Sequence, residues 1–191
     1  MKQILILICC FIGINVCAQQ SQTNSDMKTL VVYFSFTAGN TQRIAEKIHS
    51  VVGGDIVRLE PRQPYPSDYD TAVKQGQEEV ESSFKPELKP LGVNPADYDR
   101  IIVGTPTWWY KMSPVVLSFL STTDFTGKTV VPFMTNAGWP GSVIEDMTHV
   151  ATKGGAKVKD AHEFRFSADE RHFERMETSE TELSAWIDSL K

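Results

Sequence analysis

Three short stretches carry side chains able to hold a ligand: Ser35-Phe-Thr-Ala-Gly-Asn-Thr41, Thr105-Pro-Thr-Trp-Trp-Tyr-Lys-Met112 and Thr135-Asn-Ala-Gly-Trp-Pro-Gly141. The first offers the hydroxyls of Ser35, Thr37 and Thr41, and Gly39 lets backbone approach a ligand closely. It sits between an apolar, β-branched run and a stretch with apolar residues at helical spacing. A strand feeding a small polar loop feeding a helix start is an anion site, because free N–H groups and the positive end of the helix dipole converge there. The loop holds no lysine, so it differs from the Gly-Lys-Ser/Thr loop that takes triphosphates with Mg²⁺. A terminal monophosphate held by neutral donors fits better. The same residues also read as an ordinary strand–helix turn capped by asparagine, and the loop alone does not decide. In the second stretch Trp108, Trp109 and Tyr110 are consecutive. Adjacent loop side chains diverge, so exposed aromatics there suit stacking on a planar ring. The competing reading is one tryptophan plugging the core while another faces solvent. Thr135, Asn136 and Gly138 would offer polar groups to the edge of such a ring, with Trp139 as a lid or further wall.

The elements that must position these loops follow from period and punctuation. Leu30 to Phe34 reads as a strand buried on both faces, and Ile44, Ala45, Ile48 and Val51 mark the helix after it. Gly53-Gly54 ends that helix, and Asp55 to Glu60 reads as a second strand. Pro61, Pro64 and Pro66 force a loop, a helix is expected over about 67–84 with Gly76 inside it, and Pro86, Pro90 and Pro95 delimit an extended connection. Asp99 to Gly104 is the third strand, with Ser113-Pro114 opening the next helix. Lys128 to Met134 is the fourth strand, in which Pro132 is awkward for a central ladder position. Ser142 with Glu145, and Ser179 with Glu182, are spaced as capping boxes for the last two helices, with a fifth strand inside 156–166 between them. Five strands alternating with five helices argue a doubly wound parallel sheet, a three-layer α/β/α fold whose ligand lies beyond the strand carboxyl ends. All three loops fall at that end.

Composition excludes several classes. At 191 residues, 41% apolar and 23% charged, the chain suits one globular domain. Met1 to Ala18 reads as a secretory signal: a lysine, an apolar run from Ile4 to Val16, then Val16-Cys-Ala18 as a cleavage point. Residues 19–27 read as a polar leader and 28–191 as the domain. The expected location is exported and periplasmic, with lipidation of Cys17 as a variant, and no membrane span is expected in the mature chain. All three cysteines lie in the first eighteen residues, so the mature domain has no thiol for disulfides, metal sites or nucleophilic catalysis. Loss of Lys2 takes the formal charge from −5 to −6, which with no Lys/Arg stripe argues against nucleic acid. The four histidines lack metal-ligand spacing, Glu78-Glu79-Glu81 reads as a solvated helix face, no Gly-x-Ser-x-Gly elbow occurs, and no Gly-x-Gly-x-x-Gly follows the first strand.

A phosphate at one end and a flat, partly polar ring at the other describe flavin mononucleotide, FMN. The chain here resembles the flavodoxin family, through Val31-Val-Tyr-Phe-Ser35 with Gly39-Asn-Thr41, Tyr65-Pro-Ser-Asp-Tyr69, Gly104-Thr-Pro-Thr-Trp-Trp109, Gly127-Lys128 and Phe133-Met-Thr135. The resemblance implies strand order 2-1-3-4-5 and bound FMN. It places the phosphate on Ser35, Phe36, Thr37, Ala38, Gly39, Asn40 and Thr41. The ring would lie near Pro106, Thr107, Trp108, Trp109 and Tyr110, and near Thr135, Asn136 and Gly138. It implies electron transfer, with a redox partner protein or a quinone. An NAD(P)H- or quinone-linked FMN oxidoreductase is the alternative, and a flavin-free binding module on the same fold is the third reading. Three departures stand out: Ala38 is an extra residue in the phosphate loop, Tyr110 stands where relatives often carry glycine, and Lys111 is a cation expected beside the flavin, where it would stabilise the anionic reduced ring.

Overall fold

The computed structural model describes residues 27–169 and 171–191, so the expected signal segment 1–18 and all of the 19–27 leader but Met27 lie outside the described residues. Strand β1 (Thr29–Tyr33) is followed by α1 (Asn40–Val52), β2 (Asp55–Arg58) and α2 (Tyr69–Glu81). Strand β3 (Arg100–Trp108) and the two-residue β4 (Lys111–Met112) lead to α3 (Pro114–Thr122), β5 (Thr129–Asn136) and α4 (Val143–Lys153). The chain closes with β6 (Lys157–Val158), β7 (His162–Arg165) and α5 (Glu180–Ser189). The parallel order is β2-β1-β3-β5, with β6 and then β7 on the outer side of β5. This is the expected 2-1-3-4-5 arrangement, with its fifth strand in two pieces.

Alternation along the central strands explains the three layers. Leu30, Val32, Phe34, Ile101, Val103, Val130 and Met134 face one cluster, with Val115, Val116 and Phe119 of α3 and Val143 and Met147 of α4. Val31, Tyr33, Ile102, Val131 and Phe133 face the other, with Ile44, Ala45 and Ile48 of α1 and Leu183, Trp186 and Ile187 of α5. Successive residues of a strand point to opposite faces, so a continuous apolar run supplies two cores at once.

Pro132 lies in β5 opposite Val103, and its other side accounts for the split of the last strand. Val130 O accepts from Lys159 N and Asn136 O accepts from Phe166 N, so even-numbered residues of β5 face β6 and β7. Pro132 therefore turns its missing donor to that side, and pairing lapses between Val158 and His162. Trp186 fills part of the gap, its indole N–H donating to Asp160 O at 2.7 Å.

Three local expectations change. The Ser142 side chain makes no cap bond at the start of α4; its hydroxyl instead donates to Asp146 Oδ2 at 2.7 Å. The third strand does not stop at Gly104: β3 runs on to Trp108 and folds back antiparallel onto β4. Helix α2 is shorter than expected and is capped by Asp68, which accepts from Thr71 N at 2.9 Å. Its Gly76 has a packing reason: a Cβ there would lie 2.9 Å from the Trp108 ring.

Candidate functional site

Strand order reverses between β1 and β3, and at their carboxyl ends lies a cleft of about 810 Å³. The loop after β1 forms one end. Gly39 is the N-cap residue of α1 in a left-handed conformation, φ 72°, and no side chain caps the helix. Asn40 is thus no cap; its side-chain amide donates to Phe173 O at 2.8 Å. The first backbone bond of α1 runs from Arg43 N to Gly39 O at 2.9 Å, while Gly39 N bonds back to Phe36 O at 3.1 Å. The N–H groups of Thr37, Ala38, Asn40, Thr41 and Gln42 have no protein acceptor among the described residues. That fan of donors, at the positive end of a 13-residue helix, is suited to an anion. Ala38 sits exposed on the turn between Thr37 and Gly39, so the extra residue lengthens the loop outward without filling it. Thr41 is buried and its hydroxyl meets that of Thr135 at 2.8 Å, tying the anion loop to the end of β5. Ser35 is buried, and its carbonyl accepts from Arg58 at 2.9 Å.

The other end is built by the β3–β4 hairpin. Trp109 and Tyr110 form its two-residue turn with φ 49° and 64°, left-handed at both positions without a glycine. Both positive φ values define the turn whose twist suits a tight hairpin, which normally favours Asn-Gly. The strained pair is held from three sides. Trp109 Nε1 donates to Val73 O at 3.1 Å, Ser142 N donates to Tyr110 O at 3.1 Å, and Gly141 leaves no room for a Cβ against the Tyr110 carbonyl. Lys111 does not line the cleft: its amine donates to Ser142 Oγ at 2.8 Å and pairs with Asp146 at 3.0 Å. The ammonium is thereby committed to α4, and the expectation of a cation at the ring finds no geometric support.

The three consecutive aromatics divide their work. Trp108 is half-buried in a cluster with Tyr65 (ring centroids 4.8 Å apart), Phe34 (5.6 Å) and Phe36 (5.7 Å). Trp109 and Tyr110 are exposed at the mouth, as are Tyr69, Trp139 and Phe173. One tryptophan plugs the wall and its neighbours face outward, which is the arrangement the consecutive pattern argued against. Burial and the hydrogen bond to Glu79 Oε2 at 2.6 Å hold the Tyr65 hydroxyl well above the ordinary phenol range. Glu79 is thus turned toward the cluster instead of joining a solvated face.

Of the expected residues, Ser35 to Thr41, Pro106 to Tyr110, Thr135 and Asn136 share this cleft, whereas Gly138 does not line it. Gly138 N donates to Asn136 Oδ1 at 2.7 Å and its α-carbon packs on Arg165, while Asn136 Nδ2 donates to Glu163 at 2.9 Å. Both polar ends of Asn136 are occupied within the protein. The hydroxyl of Thr107 is buried in the wall with no partner among the described residues, an orphan of the kind a ligand satisfies. Two walls lie outside the expected site residues: the α2 face of Tyr69, Ala72, Val73 and Gly76, and the segment bearing Phe166, Ser167, Phe173 and Glu174. The unused N–H fan, the orphaned Thr107 hydroxyl and the aromatic walls together fit a flat-ringed monophosphate.

A doubly wound parallel sheet with its cleft at the reversal point defines the structural class. Comparison with known proteins narrows it: residues 28–189 match the family model described as flavodoxin, and the chain belongs to that family. Solved structures agree. A protein from Bacteroides eggerthii named as a candidate flavoprotein is 31% identical, with 86% of this chain and 98% of that one covered and a TM-score of 0.67. A similar protein from Bacteroides uniformis is 26% identical, covering 85% and 98%, with a TM-score of 0.69. A flavoprotein in complex with FMN from Lactobacillus acidophilus, 21% identical over 72% of this chain and 93% of that one, shares the fold with a TM-score of 0.63. No curated protein matches.

Proposed function

We propose that the chain is an FMN-binding electron-transfer protein of the flavodoxin family, exported from the cytoplasm. The observation that carries the reading is one cleft joining a neutral donor fan at Thr37 to Gln42 to an aromatic wall at Trp108 to Tyr110. A bound flavin supplies one- or two-electron chemistry at its ring, and the protein supplies binding and orientation. Backbone N–H groups of the loop take the phosphate, the Thr41–Thr135 hydroxyl pair fixes that loop to the sheet, and Thr107 lines the cleft with a buried hydroxyl that is unpaired among the described residues. The hairpin turn presents Trp109 and Tyr110 to the ring while Gly141 and Ser142 hold its back. No side chain is required as acid, base or nucleophile. Export is supported by the apolar run from Ile4 to Val16, which lies outside the described residues. Among the described residues no helix is long and apolar enough to cross a membrane. The electron-exchange partner is a redox protein or a quinone.

A second reading, an oxidoreductase using NAD(P)H or a quinone, draws on the mouth of the cleft. Tyr69, Trp109, Tyr110, Trp139 and Phe173 are all exposed there, more aromatic surface than two faces of one ring require. Purifying the chain, recording its visible spectrum, adding FMN and then NADPH separates the readings. The carrier shows flavin absorption that NADPH alone leaves unchanged, and rapid bleaching by NADPH favours the enzyme. A colourless chain that refuses FMN contradicts both and leaves the flavin-free binding module.

A further inference from the structure

Glu174 is the one charged residue among the described residues lining the cleft, and it lies on a strap, residues 171–176, fastened to the first turn of α1. Asn40 donates to Phe173 O and Arg43 to Glu174 O, each at 2.8 Å, and the Arg43 guanidinium lies 4.9 Å from the Phe166 ring centre. The strap is also closed on itself, with Ser167 N donating to Arg175 O at 2.8 Å, Arg175 donating to Ser167 Oγ at 3.2 Å, and a bridge between Phe166 and Met176. An acidic residue on the wall of the cleft that holds an anion-binding fan calls for a physical reason. Arg43, the first cation of α1, donates to a carbonyl and lies over an aromatic face, and it does not line the cleft. Among the described residues the Glu174 carboxylate pairs with His172, at 3.8 Å. The N–H fan can meet one terminal phosphate, whereas a second phosphate placed toward the strap would meet the exposed Phe173 ring and the charge of Glu174.

We propose that the strap selects for ligand length: Phe173 and Glu174 close the anion end behind one terminal phosphate and turn away pyrophosphate-linked dinucleotides. The proposal rests on the flavin reading above for its ligand, FMN against its adenine dinucleotide FAD, but the wall itself acts on any phosphate. The strap bonds to α1 through its backbone carbonyls, so replacing its two side chains leaves both fastenings in place.

The test titrates the flavin-free full chain, and its E174Q and F173A/E174A variants, with FMN and FAD by flavin fluorescence, and with inorganic phosphate and pyrophosphate by calorimetry. The wild type should bind FMN about 100-fold tighter than FAD, and phosphate tighter than pyrophosphate. In F173A/E174A the flavin gap should shrink to about tenfold or less through a gain for FAD, with E174Q falling between. An unchanged gap overturns the proposal, as does a variant that loses FMN and FAD in step. If the wild type takes neither flavin, the functional reading fails separately. The strap is then judged on the anions, and a phosphate-to-pyrophosphate ratio that the variants leave unmoved overturns it.

Discussion

At the anion end of the cleft the left-handed backbone falls on a glycine, Gly39, with nothing within 4 Å of where a Cβ would stand. At the ring end it falls on Trp109 and Tyr110, and the turn is pinned by α2, by the Gly141–Ser142 backbone and by the Lys111–Asp146 pair. The working groups differ in the same way. An anion is met by main-chain N–H groups, so the loop can dispense with side chains and adopt whatever backbone it needs. In the proposed site a ring would be met by side chains, which gives the turn a reason to keep two aromatics where Asn-Gly would be easier, while the surroundings hold the strain.

That contrast can be broken from either side. The largest effect is expected for G141A, because its Cβ would stand 2.0 Å from Tyr110 O and its φ is 58°. A loss of about 3 kcal/mol is expected, read by chemical denaturation, with flavin affinity falling alongside. Next is W109N/Y110G, which supplies the residues this turn favours. Thermal stability should rise, by about 1 kcal/mol, while FMN binding weakens about tenfold; a fall in both would mean the turn is not strained. G39A should cost about 1 kcal/mol from its φ of 72° alone, and FMN affinity should move less than about threefold because the N–H fan is untouched.

The smallest effects are those of pH. The hydrogen bond to Asp55, helped by burial, pushes Tyr98 up to about 12 from its ordinary 10.0. The unfolded chain releases that proton first, so the stability is intact below pH 10 and is lost as pH rises toward 12. Tyr65, beside Trp108, shifts the same way, so Y65F should flatten the alkaline limb of a stability curve and Y98F should flatten it independently. Burial works the other way on His162, depressing it below 6.5 against the pull of Glu182. Its contribution is present above pH 6.5 and fades as pH falls, and H162F should remove that acid limb.

The two-sided strands and the loops after β1, β3 and β5 were legible because they rest on local period and punctuation, while the sheet order came from the family resemblance. The hairpin at Trp109–Tyr110 was hidden, since a turn of two aromatics lacks the Gly or Asn that announces one. The split of the last strand was half visible: Pro132 flagged an interrupted ladder, but its direction depended on which neighbour its missing N–H faced. Lys111 read as a free cation because its partner, Asp146, lies 35 residues on. The strap was invisible for the same reason: its fastenings join side chains to carbonyls across 133 and 131 residues, and no periodicity records such contacts.

The measurement that bears most directly on the cleft is the affinity of the flavin-free chain for FMN compared with riboflavin, which has the same ring and no phosphate. If the ring rests at the hairpin while the phosphate sits on the N–H fan of residues 37–42, FMN should bind about 100-fold tighter or more. Equal affinities would place the phosphate outside the loop and contradict that geometry.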